Sequence, residues 1–129
     1  MSRKTAMLFA AAALLAGGAA LAQEKPPFER VPLQTAEWPP GYNTTSVLVK
    51  FQPNAVIPRH THPGTESGYL SAGEVVLKVE GKPDSTTVTG GSWIIPAETK
   101  HIAVAGPAGA TAIVTYVVDK AKPLSSPAP

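Results

Sequence analysis

Hydrophobic and polar residues alternate along much of the chain from residue 44 onward. Val47 and Val49 fall on one face of an extended segment, while Ser46 and Lys50 fall on the other. Residues 74–80 repeat the alternation. A period of two is typical of strands that have one buried and one exposed face.

Segments rich in glycine, proline and asparagine separate these extended runs. We predict turns at residues 52–54, 81–84, 90–91 and 106–109. No segment after residue 22 shows sustained helical spacing of its apolar residues. The sequence therefore predicts an all-β fold, a single antiparallel β-barrel or jelly roll of about seven or eight short strands.

Three details of this prediction concern individual strands. A strand that begins near Ser67 is expected to end at Gly73, a turn glycine. Trp93–Ile95 is expected to form a short buried strand, and residues 101–105 and 110–118 are expected to form two separate strands.

Both ends of the chain differ from this central region. Residues 1–22 combine a basic start, an uncharged apolar run and small residues at its end, which is the order of a secretory signal peptide. A retained membrane anchor is the alternative, although the apolar run is short for a spanning helix. Residues 23–43 contain five prolines and predict an extended arm with at most short edge strands. Residues 44–119 are the predicted barrel, and residues 120–129 predict a loose tail.

The predicted signal changes the meaning of the net charge. Of 11 Lys and Arg residues, Arg3 and Lys4 leave with the signal, so nine remain against 9 Asp and Glu. A mature chain without excess positive charge makes nucleic acid an unsuitable partner. We expect a periplasmic or secreted protein with no stable membrane anchor after cleavage, and the absence of cysteine excludes both disulfides and a lipoprotein anchor.

A cluster of potential metal ligands lies in the segment from residue 58 to residue 66. Residues i and i+2 of a strand face the same side, so His60 and His62 project together. The Pro63-Gly64 bend then allows Glu66 to return to the same point. About thirty residues later, His101 begins another predicted strand that can supply a third imidazole.

The spacing of these residues resembles that of a known family. His60-x-His62-x3-Glu66-x6-Gly73 has the spacing of the first cupin motif, and Gly90-x5-Pro96-x4-His101 has most of the second. The region from residue 47 to residue 118 is similar to the small bacterial single-domain cupins. This resemblance implies a conical β-barrel that binds one metal ion through His60, His62, Glu66 and His101.

The chain departs from the cupin motifs at three positions. Asn54 replaces a glycine before the first histidine, and asparagine tolerates left-handed backbone nearly as well. Glu98 replaces a second-motif glycine, and Ala105 replaces the usual asparagine. None of these changes removes a metal ligand.

Three imidazoles and one carboxylate suit a divalent transition metal such as Fe, Mn, Ni, Cu, Co or Zn. The resemblance implies a metal-dependent dioxygenase or related oxidoreductase, similar to quercetin dioxygenase, that acts on a small oxygen-rich molecule. A metal-dependent isomerase and a non-catalytic module that binds a metal or small molecule are the alternatives. A homodimer is also expected from the resemblance.

Four further residues have open roles. Glu98 is either an acid near His101 or an exposed turn carboxylate. Tyr69 and Trp93 either line the pocket or serve in packing or an interface. Arg59 is expected to point outward into solvent, because it alternates with His60.

The predicted signal can be tested on the protein exported by its native host. We expect the mature chain to begin at Gln23, because Ala20 and Ala22 occupy the small-residue positions that precede signal cleavage. The intact mass of the exported protein measures this directly. A soluble product with the mass of all 129 residues would contradict the exported interpretation.

Overall fold

The computed structural model describes residues 24–129, so the predicted signal peptide lies outside the described residues. The described chain forms eight strands and is all-β. In chain order they are β1 (Phe28–Glu37), β2 (Tyr42–Phe51), β3 (Val56–Thr61), β4 (Gly64–Val79), β5 (Ser85–Val88), β6 (Ser92–Ile95), β7 (His101–Asp119) and β8 (Ser126–Pro127). All of their pairings are antiparallel, which confirms the predicted fold class. Within residues 24–129 no helix is long and apolar enough to cross a membrane.

Two long strands, β4 and β7, connect the whole architecture. They pair with each other along nearly their full length, from Gly64↔Val118 to Val79↔His101. The second half of β7 also pairs with β2, and its first half pairs with β3. The first half of β4 pairs with β6 and its second half with β5. The β4–β7 pair therefore belongs to two sheets that face each other, as in a jelly roll. In the described chain, the strands at the edges of these sheets do not pair with each other.

The core lies between these two halves. Residues that alternate along β2, β4 and β7 are buried, including Val49, Leu70, Val75 and Val114. Their burial follows the period-two pattern of the sequence, so the predicted inward faces of β2 and of residues 75–79 are confirmed.

The two long strands differ from the sequence prediction, which divided each of them in two. Gly73 adopts a positive φ of 84° and Gly109 a positive φ of 74°, but neither residue ends its strand. The register of β4 shifts on both sides of Gly73, which is how a bulged strand bends from one sheet into the other. The sequence prediction placed a turn at Gly73, and the structure has a bulge there within a continuous strand.

The segments at both ends of the barrel lie on its edges. About half of the proline-rich arm forms the single edge strand β1, whose register shifts between Pro32 and Gln34. An edge position accommodates Pro32 because its missing N–H faces no second partner strand. Residues 120–129, for which the sequence predicts a loose tail, include β8, which pairs with His60 and Thr61 at the end of β3.

The expectation of a buried strand at Trp93–Ile95 is wrong for its middle residue. Ile95 is buried, but Ile94 is 70% exposed. The physical reason is that β6 pairs only with β4 and covers one side of the core, so alternate residues face solvent. Three consecutive large apolar residues had suggested burial on both faces.

Within the described part of the chain, two residues other than glycine adopt left-handed backbone. Asn54 has a φ of 59°, as expected for asparagine in place of glycine, and Glu98 has a φ of 57°. Glu98 is exposed, and its backbone N–H donates to the carbonyl of His62 at 2.9 Å. A side chain at such a position costs about 1–2 kcal/mol of left-handed strain.

We therefore expect Glu98→Gly to be more stable than Glu98→Ala, because both variants remove the carboxylate and only glycine removes the strain. The expected difference is about 1 kcal/mol, or roughly 4–8 °C in Tm for a domain of this size. Thermal denaturation of the two metal-free variants measures it, with bound metal per chain as the control. Equal melting temperatures would show that Glu98 is not strained.

Candidate metal centre

A bulge in β3 directs His60 into the barrel. Ile57 pairs with Ala103 and His60 pairs with His101, so the two residues between them on β3 oppose a single residue on β7. Ile57 and His60 are both buried, whereas uninterrupted alternation would have placed them on opposite faces. The bulge at Pro58 and Arg59 thus places His60 on the inner side.

The chain then bends at Pro63 and brings Glu66 back towards His62. His62 lies just beyond the end of β3, and Glu66 is the third residue of β4. The Nε2 atom of His62 lies 2.8 Å from Oε2 of Glu66. This confirms that the bend returns the carboxylate to the histidines.

His101 completes the cluster from the first position of β7. Its Nε2 atom lies 3.5 Å from Oε2 of Glu66, and its ring centroid lies 4.2 Å from that of His60. The potential donor atoms of His60, His62, Glu66 and His101 all lie within 4.8 Å of one another, and all four residues are buried. These four predicted residues therefore come together in the structure and form a metal site.

Backbone carbonyls fix the orientation of all three imidazoles. The Nδ1 atoms of His60 and His101 lie 2.7 and 2.8 Å from the carbonyl oxygens of Pro58 and Thr99, each two residues earlier in the chain. Nδ1 of His62 lies 2.7 Å from the carbonyl oxygen of Leu124. A carbonyl only accepts, so each Nδ1 carries the proton and each Nε2 lone pair is free to bind a metal.

The donor set passes a direct test for a metal ion. Nε2 of His62 is buried without a hydrogen-bond partner, although the carboxylate oxygen of Glu66 lies 2.8 Å away. With its proton on Nδ1, this nitrogen and the carboxylate oxygen are two acceptors in contact. Adjacent ligands of one ion with bonds of about 2.0–2.1 Å lie roughly 2.9 Å apart, so a divalent cation would satisfy both atoms.

Trp93 holds the other oxygen of Glu66. Its indole Nε1–H donates to Oε1 at 2.7 Å. Gly68, opposite Trp93 on β4, makes room for the indole, because a Cβ there would lie only 2.1 Å from a ring carbon. Of the alternatives left open for Trp93, the structure therefore favours the site.

Burial and local contacts together set the pKa values of the cluster. Burial lowers the pKa of His60 from 6.5 to about 4, mainly because a buried imidazolium loses its hydration. Burial alone would raise the pKa of Glu66, but the contacts with His101 and His62 and the Trp93 hydrogen bond lower it below its usual range. A neutral imidazole and an ionised carboxylate are the forms that bind a metal.

Two residues that were not identified from the sequence also face the site. Tyr116 lies on β7 with its ring centroid 4.8 Å from that of His62. Burial and the nearby Glu66 carboxylate raise the pKa of Tyr116 to about 12. Arg30 lies on the inner face of β1, opposite buried Val49. Tyr116 could have been found from the alternation of residues 110–118, which places it on the inward face of the strand. The proline-rich sequence of β1 has no such alternation that would point to Arg30.

The remaining residues with open roles lie outside the cluster. Tyr69 is 50% exposed, pairs with Ile113 and points away from the site. Glu98 is an exposed turn residue, which is the simpler of its two interpretations. Arg59 points outward, as expected, and its Nη2 donates to Glu80 at 2.8 Å.

A small cavity of about 20 Å³ adjoins the donors. Its walls include His60, Glu66, His101, Tyr116 and Arg30. A second, outer groove of about 180 Å³ shares Arg30, Ile57 and His60 with this cavity and extends to Ser125 and Pro127. The outer groove thus borders the cavity on the side of the barrel where β1 and the C-terminal segment lie.

Comparison with protein families agrees with this architecture. The model of the family described as the cupin domain matches residues 47–117. No curated protein sequence matches the chain.

Solved structures similar to the chain share its fold at low sequence identity. A cupin superfamily protein from Desulfitobacterium hafniense DCB-2 has a TM-score of 0.62 and 16% identity, with 76% of this chain and 83% of that chain covered. Oxalate oxidase in complex with the substrate analogue glycolate has a TM-score of 0.62 and 24% identity, over 78% of this chain and 54% of that one. The DMSP lyase DddQ from Ruegeria pomeroyi DSS-3 has a TM-score of 0.60 and 21% identity, over 65% and 42%. The chain thus spans less than half the length of that lyase.

The hydrogen bond between His62 and Leu124 generates a prediction for the C-terminal segment. A variant without residues 123–129 lacks the carbonyl that orients the His62 ring, so its metal affinity should fall about 10- to 100-fold. Competition with a chromophoric chelator measures the dissociation constant. Leu124→Ala is the matched control, since it keeps the main-chain carbonyl and should retain the affinity within about threefold. An unchanged affinity in the truncated variant would contradict this role.

The lowered pKa of His60 predicts how the stability of the metal-free protein depends on pH. The unfolded chain binds a proton at this residue below about pH 6.5, whereas the folded protein does so only near pH 4. The free energy of unfolding should therefore fall as the pH is lowered from 6.5 to 4. Urea denaturation across this range measures the slope, and His60→Gln should reduce it. An equal slope in the variant would assign the effect to other groups.

Proposed function

Because the chain belongs to the cupin domain family and carries four buried donors inside the cupin core, we propose that it is a metal-dependent enzyme. We propose further that it is an oxidoreductase, a dioxygenase or a related enzyme, that acts on a small oxygen-rich molecule. The observation that carries this proposal is the convergence of three Nε2 lone pairs and one carboxylate on a point beside a cavity.

The number of donors supports a reactive centre rather than a purely structural one. A transition metal that accepts six ligands keeps two positions for other molecules when the protein supplies four. A bound ion would supply Lewis-acid chemistry, and redox chemistry if it changes oxidation state, to the oxygen atoms of a chelating substrate.

The protein's own residues prepare the site for such a substrate. Trp93 fixes the Glu66 carboxylate through a hydrogen bond. Tyr116 keeps its phenolic proton at neutral pH, since its pKa is about 12, and it lines the cavity. Its hydroxyl is therefore available to donate a hydrogen bond to a substrate oxygen.

The dimensions of the site favour substrates smaller than a flavonol. The inner cavity of about 20 Å³ has room for roughly one water-sized group beside the donors. A larger molecule would have to place most of its atoms in the outer groove of about 180 Å³. The similar structures described as oxalate oxidase with glycolate and as DMSP lyase fit a small-molecule substrate class, which supports the proposal at that level.

A non-catalytic binding module is the second candidate. The small volume of the inner cavity is the observation that favours it, because capture of a metal ion needs no space for a substrate. For either function we propose a periplasmic or secreted location. A homodimer remains a prediction, to which the exposed pair Tyr69 and Ile113 on the outer face of the sheet lends support.

An open coordination sphere can be tested with Co(II). We expect the visible absorption of the Co(II)-loaded protein to change when a bidentate oxygen ligand such as an α-keto acid is added, because the ligand displaces water. His101→Ala is the control that should lose the ion. A tetrahedral spectrum that ignores the ligand would reject both the enzyme and an open binding site. Oxygen uptake with small oxygenated substrates then separates catalysis from binding.

A further inference from the structure

Arg30 is a cationic residue close to the metal site, and its charge has no acidic partner. Among residues 24–129 the ion pairs of the barrel involve Arg59, Lys78, Lys120 and Lys122, and none involves Arg30. Its Nε atom is buried without a hydrogen-bond partner. A buried donor on a cation is costly to leave unpaired.

The position of Arg30 is fixed by the sheet. It pairs with Val49 across β1 and β2 and therefore faces the interior. Its guanidinium carbon lies over the Phe28 ring, 5.0 Å from the ring centroid, so the two side chains form a cation–π contact. The Tyr116 hydroxyl is near enough that Arg30 opposes the rise in its pKa.

Arg30 lies where the inner cavity meets the outer groove. It lines both, together with Ile57 and His60. A molecule that reaches the donor atoms through this groove must pass the guanidinium. Since the inner cavity holds little more than one water-sized group, any larger part of a bound molecule lies at the level of Arg30.

The charges around this passage favour an anion. A divalent ion and Arg30 together carry more positive charge than the single Glu66 carboxylate neutralises, and the imidazoles that bind the ion are neutral. The Nε–H of Arg30 is unpaired, and the planar fork of a guanidinium matches the two oxygens of a carboxylate.

We propose that Arg30 is the anion-recognition residue of this site, and that the substrate is a small carboxylate with an adjacent oxygen. The carboxylate pairs with Arg30 at the passage while the adjacent hydroxyl or keto oxygen faces the metal donors. This proposal rests on the proposed function, because it assumes that the same site accepts a small molecule.

Calorimetric titration with two probes of equal size tests the proposal. Glycolate carries a carboxylate and glycolamide replaces it with a neutral amide. In the Co(II)-loaded Arg30→Gln variant, the affinity for glycolate should fall about 10- to 100-fold, while that for glycolamide should stay within about twofold. Arg30→Lys should recover part of the affinity for glycolate, because it keeps the charge and loses the planar fork.

Arg59→Gln is the matched control. This arginine borders the same groove and its removal changes the net charge equally, but its guanidinium is already paired with Glu80. We expect glycolate affinity within about twofold of the wild type. Metal content and Tm of each variant confirm that the barrel and its ion are intact.

The possible outcomes separate the two proposals. A selective loss of glycolate affinity in Arg30→Gln supports anion recognition, and unchanged or equally weakened binding of both probes overturns it. If glycolate binds through Arg30 without changing the Co(II) absorption, anion recognition holds and the open metal site fails. If wild-type protein binds neither probe, the assignment of Arg30 to substrate binding is overturned.

Discussion

The antiparallel pairing of β4 with β7 is the interaction on which the rest of this structure depends. It places Glu66 beside Tyr116 in the first sheet and Val79 beside His101 in the second. The two strands bend together, so the inner faces of both sheets meet around one small cavity. Without this bend, the beginning of β7 and the beginning of β4 would lie at opposite ends of a flat ribbon.

The metal site buries polar groups whose orientation is fixed by hydrogen bonds, while the donor atoms that face one another remain available to a cation. A buried carboxylate is costly unless it is paired, and Glu66 receives the Trp93 N–H on one oxygen and faces two imidazoles with the other. Each imidazole is oriented by a carbonyl on its far side. Two of these carbonyls lie two residues before the histidine that they orient, and only that of Leu124 comes from a distant segment. The fixed direction of the lone pairs is what turns three buried histidines into a metal site.

The sequence predicted those features that depend on local patterns. Alternation identified the inward faces of β2 and of the second half of β4, and the spacing of His60, His62, Glu66 and His101 identified the donors. Local patterns did not distinguish a glycine bulge from a turn that ends a strand, so β4 and β7 were each predicted as two strands. They also did not predict which residues distant segments bring to the site. Arg30 follows two prolines, and the Leu124 carbonyl belongs to the backbone, so neither contributes to a motif.

The dependence of His62 on Leu124 has a consequence for the order in which the protein is made. Residues 24–119 contain the four donors, but the acceptor that orients one of them is synthesised later. Three earlier strands, β2, β3 and β4, pair with β7, so their inner faces are covered only after β7 has been made. A nascent chain that ends before residue 124 therefore holds the ligands without the final orientation of His62. Tight metal binding should accordingly be among the last properties that a newly synthesised molecule acquires.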